Sequence, residues 1–346
     1  LLTTGQLLQL PKAELHVHLD GSLRPATLLE LARARGVALP AGDSRALARA
    51  LRARTGASLE EYLEPFRLTL AVLQDAEAIE RVASELVEDN AAETVRWLEV
   101  RFCPALSTER GLSSAEVLEA ALRGLSRGSA ATGTATCVIV CALRTLPPAL
   151  SREMAELAAA YAGRGVSAFD LAGAEAGYPV RAHLEALRVA ERSGLAVTVH
   201  AGEAYGPESI RQALELGRAA RIGHGTSLAE DPGLLAEVRA RGITLEVCLT
   251  SNVQTGAAGS YAAHPLRRYF DEGIRVALCT DNRLVSGVTL TREYEHARDA
   301  LGFTWDELAR VARMGFESAF APPSVRESLL ADFDRSLAGL ATRGGA

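Results

Sequence analysis

The sequence predicts an α/β fold: a closed (β/α)₈ barrel of the TIM type, with a helical insertion between its first two strands covering the C-terminal face. Three observations lead there. Eight short runs, several dense in Val, Ile and Leu, recur along the chain with helix-like segments between them. Glycine follows three of those helical segments, in Arg192-Ser193-Gly194, Ala240-Arg241-Gly242 and Asp271-Glu272-Gly273. Histidine or aspartate closes several of the runs. A barrel brings such distant strand ends to one point, which the runner-up, a doubly wound sheet, explains less well.

In chain order, the strands are expected at 13–19 (β1), 95–102 (β2), 134–143 (β3), 166–172 (β4), 196–201 (β5), 219–224 (β6), 243–249 (β7) and 274–280 (β8). Helical spacing and Ala/Leu/Glu/Arg richness mark 182–193, 207–217 and 229–240 between strands, and 292–300, 304–312 and 323–339 after β8. The gap between β1 and β2 is the insertion, about 25–90, with helical stretches at 25–35, 43–54, 58–74 and 76–93. An insertion at this face commonly covers an active site. No repeat, low-complexity tract or linker divides the chain, so residues 1–346 are expected to form one domain.

Composition bounds the partners. Net charge is -6 and no Arg/Lys cluster announces a polyanion site, which argues against nucleic acid or an anionic membrane. No apolar run is long enough to span a membrane. The start, Leu1-Leu2-Thr3-Thr4-Gly5, lacks the basic residues and cleavage site of a secretory signal, and without an initiator Met it reads as a trimmed start. Cys103, Cys137, Cys141, Cys248 and Cys279 all lie in apolar runs with no CxxC pair, as expected for reduced thiols in a cytoplasmic protein. The sequence sets no oligomeric state.

The chemistry lies at the strand ends. His16 and His18 close β1, and side chains two apart on a strand face the same way, so both can grip one ion. His200 closes β5 and Asp281 follows β8. Three imidazoles and a carboxylate suit one Zn²⁺ with a position left for water, and an ion so held makes a nucleophile of that water near neutral pH. Glu203, three residues beyond His200, suits a proton donor or acceptor if a water-poor pocket keeps it protonated. His224, between Gly223 and Gly225 at the end of β6, suits a general base or an electrostatic partner of the metal site. Gly173, after Asp170-Leu171-Ala172, can offer its N–H to a flat ligand. Thr250-Ser251-Asn252 is polar and reads as supporting or turn chemistry, His264 as structural, and His183 and His296 as surface or packing residues. Lys12, the only lysine, precedes β1. A carboxylated lysine bridging two metals on the barrel therefore cannot be built, and a mononuclear site follows.

The ordered motifs His16-Val17-His18-Leu19-Asp20-Gly21, Asp170-Leu171-Ala172-Gly173, His200-Ala201-Gly202-Glu203, Gly223-His224-Gly225, Thr250-Ser251-Asn252 and Thr280-Asp281-Asn282 resemble the adenosine deaminase family of the amidohydrolase superfamily, over nearly the whole chain. The resemblance implies Zn²⁺ on His16, His18, His200 and Asp281. It implies Glu203 at purine N1, and His224 orienting the attacking water and taking its proton with help from Asp281. It further implies the Gly173 N–H at purine N3, Asp20 on the ribose 5′-hydroxyl, and Leu63 and Phe66 on an apolar helix closing over the nucleoside. The implied reaction is hydrolytic deamination of adenosine, or 2′-deoxyadenosine, in purine salvage. One position departs from the family: Asn282 stands where a second Asp is common. It would face purine N7, which only accepts hydrogen bonds, and an Asn amide donates there without titrating.

Adenine deaminases share the pattern but tend to carry Glu at the position of Asp20, which favours a ribosylated substrate. A 6-aminodeoxyfutalosine deaminase of menaquinone synthesis would use the same catalytic groups. A non-catalytic purine-binding protein should have lost at least one ligand or acid–base group, and none is missing.

Overall fold

The computed structural model describes residues 2–343, with side chains through residue 340; Leu1 of the N-terminal reading lies outside them. Eight parallel strands form one sheet in sequential order: β1 Lys12–His18, β2 Val95–Phe102, β3 Ala135–Leu143, β4 Val166–Ala172, β5 Ala196–Ala201, β6 Arg221–His224, β7 Thr244–Val247 and β8 Arg275–Leu278. The sheet curls into a nearly closed barrel. Its first and last strands meet where the His18 N–H donates to the Asp281 carbonyl (2.7 Å) and the Asp281 N–H donates to the His16 carbonyl (2.8 Å). The seam of the barrel thus ties the His-x-His pair directly to Asp281.

The strands are buried on both faces, but the two faces differ in chemistry. Ala13, Leu15 and Val17 alternate with Glu14 and His16 along β1, and Leu98 and Val100 with Glu99 and Arg101 along β2. Period two sends one set toward the helices and the other inward. The inner set meets across the lumen: Arg101 of β2 reaches Asp170 of β4 at 3.0 Å and Glu246 of β7 at 2.8 Å.

Between β1 and β2 lie helices Pro25–Arg35, Ser44–Leu51, Leu59–Leu63, Phe66–Val72 and Ala76–Ala91. The single helix expected at 58–74 is broken at Glu64-Pro65, because proline offers no N–H to continue the first turn. Gly194, Gly242 and Gly273 take positive φ of 71°, 64° and 79°, as the helix-ending reading required. The polar segment after β7 differs from its turn-like reading, since Leu249–Gln254 is a short helix. Lys12, expected just ahead of β1, is its first residue and is fully buried, its Nζ donating to the carbonyls of Leu7 and Leu10, both at 2.7 Å.

Candidate active site

At the C-terminal ends of the strands the ligand-type groups converge. His16 Nε2 lies 3.4 Å from Asp281 Oδ1, His18 Nε2 lies 3.4 Å from the same oxygen, and His18 Nε2 lies 3.2 Å from His200 Nε2. His16, His200, His224 and Asp281 each offer an atom within 4.8 Å of the others. His18 is absent from that tighter group but touches two of its members. Backbone strain accompanies the convergence: Asp281 and His224 have φ of 60° and 66°, a region that costs a side-chain-bearing residue energy unless its surroundings impose it. Gly223 leaves room for the crowding, since a Cβ there would sit 3.1 Å from His16 Cε1.

The groups behind the imidazoles decide what each ring offers in front. His16 Nδ1 is 2.9 Å from Glu246 Oε2, and His200 Nδ1 is 3.1 Å from Asp170. Burial alone would raise Glu246, but the guanidiniums of Arg101 and Arg221 hold it well below the usual carboxylate range. Asp170 is likewise lowered against its burial, by His200 and Arg101. An ionised carboxylate only accepts hydrogen bonds. With Nδ1 so engaged, each ring directs Nε2 into the site, the nitrogen left to bind a metal. His16 Nε2 is buried and has no hydrogen-bond partner. These donors fit a divalent cation: bare imidazole nitrogens, a carboxylate held well below its ordinary range, and a buried nitrogen lacking any other partner.

A cavity of about 450 Å³ opens above this cluster, and its lining is mostly apolar. Helices Leu59–Leu63 and Phe66–Val72 form one wall with Leu59, Tyr62, Leu63, Phe66 and Leu70, and Gly173, Leu106 and Leu143 line other sides. A larger groove, about 930 Å³, runs along the outer side of the insertion between Pro40 and Leu68 and contains none of the converging histidines.

Asp20, Gly173, Glu203, His224, Asn282, Leu63 and Phe66 all line this cavity. Glu203 is pushed up to about 8, first by burial and then by the negative charge of Asp281, so it is protonated at neutral pH. Its Oε2 lies 3.6 Å from His224 Nε2 and its Oε1 accepts from the Thr255 hydroxyl. Asp20 is pushed up to about 7, chiefly by burial, and its Oδ1 has no partner. Gly173 has φ of 88°, and no side chain shields its backbone from the cavity. Asn282 is buried, its amide donating to Tyr62 Oη at 3.0 Å. It packs so closely on Gly21 that a Cβ there would lie 1.9 Å from its Oδ1.

Two residues of this region escaped the sequence reading. Tyr62, 2 % exposed, reaches from the insertion to donate to Asp281 Oδ2 at 3.2 Å and to share a 2.7 Å hydrogen bond with Ser286. Glu175, buried after β4, accepts three backbone N–H groups of the loop beyond His200: Gly202 at 2.6 Å, Glu203 at 2.9 Å and Ala204 at 2.6 Å. A tyrosine beside Leu63 was visible in the sequence. Nothing in the sequence marks a carboxylate that will bind main-chain groups 27 to 29 residues away.

A (β/α)₈ barrel with ligand-type histidines and an aspartate at its C-terminal end, beneath an apolar cavity, defines an amidohydrolase-type barrel enzyme. The model of the family described as Adenosine deaminase matches residues 11–336. The chain is 43 % identical over 347 residues to an adenosine deaminase of Mycobacterium sp. (strain JLS), covering 96 % of each chain. It is 41 % identical to a probable adenosine deaminase of Dictyostelium discoideum, where the match covers 92 % of this chain but 41 % of that one. Among solved structures, an N6-methyl-AMP deaminase from Arabidopsis thaliana is 30 % identical with a TM-score of 0.84, covering 96 % of this chain and 98 % of that one. An adenine deaminase from Arthrobacter aurescens is 27 % identical with a TM-score of 0.86, covering 94 % and 99 %. The chain belongs to the adenosine deaminase family. It is a hydrolase of C–N bonds that deaminates adenosine-like purines. No helix among the described residues is long and apolar enough to cross a membrane.

Proposed function

We propose that this chain is a single-domain, zinc-dependent deaminase converting adenosine and 2′-deoxyadenosine to inosine and 2′-deoxyinosine with release of ammonia, acting in purine salvage in the cytoplasm. The observation that carries the reading is that Glu203 faces the same small, mostly apolar cavity as the converging His and Asp side chains. His16, His18, His200 and Asp281 would hold the ion, and the bound ion supplies an activated water near neutral pH.

The chain's own residues do the rest. A neutral carboxyl at Glu203 hydrogen-bonds purine N1 and passes its proton to the ring as C6 is attacked, drawing electron density from C6. The Gly173 N–H meets purine N3. His224 and Asp281 flank the attacking oxygen, orienting it and removing its proton between them. Asp20, with an unpartnered oxygen in the cavity, accepts the ribose 5′-hydroxyl. Leu63 and Phe66 cover the base and exclude water. Asn282 commits one N–H to Tyr62 and keeps the second for purine N7. Five unpaired, buried thiols suit a reducing compartment.

The test is ammonia release by the zinc-loaded protein, compared as kcat/KM over adenosine, 2′-deoxyadenosine, adenine, AMP and 6-aminodeoxyfutalosine. Preference for the first two supports the proposal. Preference for another member moves the substrate while keeping the acid–base assignments, and turnover of none overturns the reading.

A further inference from the structure

Asn252, within the Thr250-Ser251-Asn252 segment, and His264 are left without a task by the reaction, and both lie in one chain of hydrogen bonds behind His224. The Leu266 backbone N–H donates to His264 Nδ1 at 3.0 Å. His264 Nε2 faces Asn252 Oδ1 at 3.1 Å, and Asn252 Nδ2 faces His224 Nδ1 at 3.0 Å. His264, Asn252 and His224 are all buried.

The direction of this chain is fixed at its far end. A backbone N–H can only donate, so His264 Nδ1 is an acceptor and carries no proton. The ring's single proton is then on Nε2, and burial, which pushes His264 down to about 3, excludes the doubly protonated form. A protonated Nε2 needs an acceptor, so Asn252 must turn its oxygen to His264 and its amide N–H to His224. Rotating the Asn252 amide by half a turn would set N–H against N–H at His264. His224 Nδ1 therefore accepts, and the proton of His224 sits on Nε2, facing the site.

We infer that Asn252 and His264 are positioning residues that lock His224 as a hydrogen-bond donor toward the reacting groups. The resemblance gives His224 the proton of the attacking water. In this chain Nε2 already holds a proton and Nδ1 is blocked by an amide N–H, so neither nitrogen can receive one while the relay stands. His224 instead donates to the oxygen that gains charge during attack, and the water's proton passes to Asp281. The crowded imidazoles sort by the groups behind them. His16 and His200, backed by carboxylates, turn bare nitrogens to the site, whereas His224, backed by an amide N–H, does not and stays outside the ligand set.

The inference rests on the deaminase reading for its kinetic arm only. In zinc-loaded protein labelled with ¹⁵N-histidine, long-range ¹H–¹⁵N correlation should give His224 an unprotonated Nδ1 and a protonated Nε2. Asn252→Asp, which can only accept, should move a proton onto Nδ1. His264→Leu frees the Asn252 amide to rotate and should lower kcat about tenfold or more, a donor at developing charge being worth up to 10²–10³ in rate. KM and zinc content should hold within about twofold. His264→Gln, which can accept from Leu266 and donate to Asn252, should recover most of that loss. A protonated Nδ1 in the unaltered protein overturns the inference, as does a His264→Leu variant as fast as His264→Gln. Should the spectrum hold while no purine is turned over, the relay stands and the deaminase reading falls.

Discussion

Replacing Glu175 by Gln tests whether the loop carrying Glu203 is held by one carboxylate. Glu175 Oε1 accepts from Gly202 and Oε2 from Glu203 and Ala204. A Gln side chain keeps one oxygen, so at best it retains the Glu203 and Ala204 bonds and sets its NH₂ against the Gly202 N–H. The variant loses one hydrogen bond to a charged acceptor and leaves a buried donor unpaired, together about 3 kcal/mol. Across 346 residues, with roughly 2.1 cal/mol/K of unfolding entropy per residue, Tm should fall by about 4 °C. Catalysis should suffer more, because a shift of about 1 Å in an acid at the reacting ring costs on the order of 10²-fold. His200 keeps its own contact with Asp170, so zinc content should not change. The assay is steady-state ammonia release with parallel metal analysis and calorimetry. Loss of kcat at full zinc occupancy is expected. A variant with the Tm loss but near-normal kcat would show that Glu175 supports only the fold, and would refute the reasoning.

Four further outcomes are expected. Glu203→Gln should retain zinc and lose most turnover, since an amide donates a hydrogen bond but no proton; steady-state rates near those of the unaltered protein would remove Glu203 from its role. Asp20→Ala should raise KM for adenosine more than for adenine, and equal effects in the same assay would undo the 5′-hydroxyl assignment. Tyr62→Phe leaves Asn282 and Ser286 short of a partner and frees the insertion from Asp281, so KM should rise about tenfold, a loss within the 1–3 kcal/mol of an unpaired buried group, at constant zinc content; an unchanged KM argues against it. Glu293, fully buried, is pushed up to about 8 from 4.5 by burial, so the folded state holds a proton that the unfolded chain releases. Its contribution to stability is greatest below about 4.5 and is lost as pH rises toward about 8. Glu293→Gln does not titrate, so its stability relative to the unaltered protein should improve by about 1.4 kcal/mol per pH unit across that window in urea unfolding, and a constant difference would count against the burial argument.

What was legible in the sequence follows from what carries a pattern. The strands were found because burial on both faces enriches Val, Ile and Leu, and their residue ranges agree with the structure to within two residues at either end. His16, His18, His200 and Asp281 were found because strand ends in a barrel share one face. Pro65 was visible, yet the helical spacing on either side of it read as one helix and hid the break. Asn252 read as supporting or turn chemistry because Ser and Asn usually mark turns, whereas here they occupy a short helix whose polar side chains are buried. Glu175 and His264 carry no pattern at all. Both act through backbone N–H groups, which every residue but proline supplies, so the partner leaves no mark in the sequence.

The charged lumen beneath the site explains why so polar a barrel core is stable when the metal is present. Arg101 donates to Asp170, to Glu246 and to the Leu15 carbonyl, and Arg221 pairs with Glu246 and Glu99. Counting Asp281, two guanidiniums face four carboxylates, which leaves two negative charges in a space closed to water. A divalent cation on the proposed His and Asp281 ligands would balance them. In its absence the balance falls on His16, which Asp281 and Glu246 raise above its ordinary value despite the opposing effects of burial and Arg101. On the proposed ligand set, metal binding and core stability become one property of this chain. Removing the ion should lower Tm by far more than removing any one ligand's hydrogen bond, and should do so most at high pH, where His16 can no longer carry the compensating proton. A chelator titration followed by calorimetry at pH 6 and pH 9 checks this, and equal Tm losses at the two values would mean that the lumen's charge is balanced by something other than the bound cation.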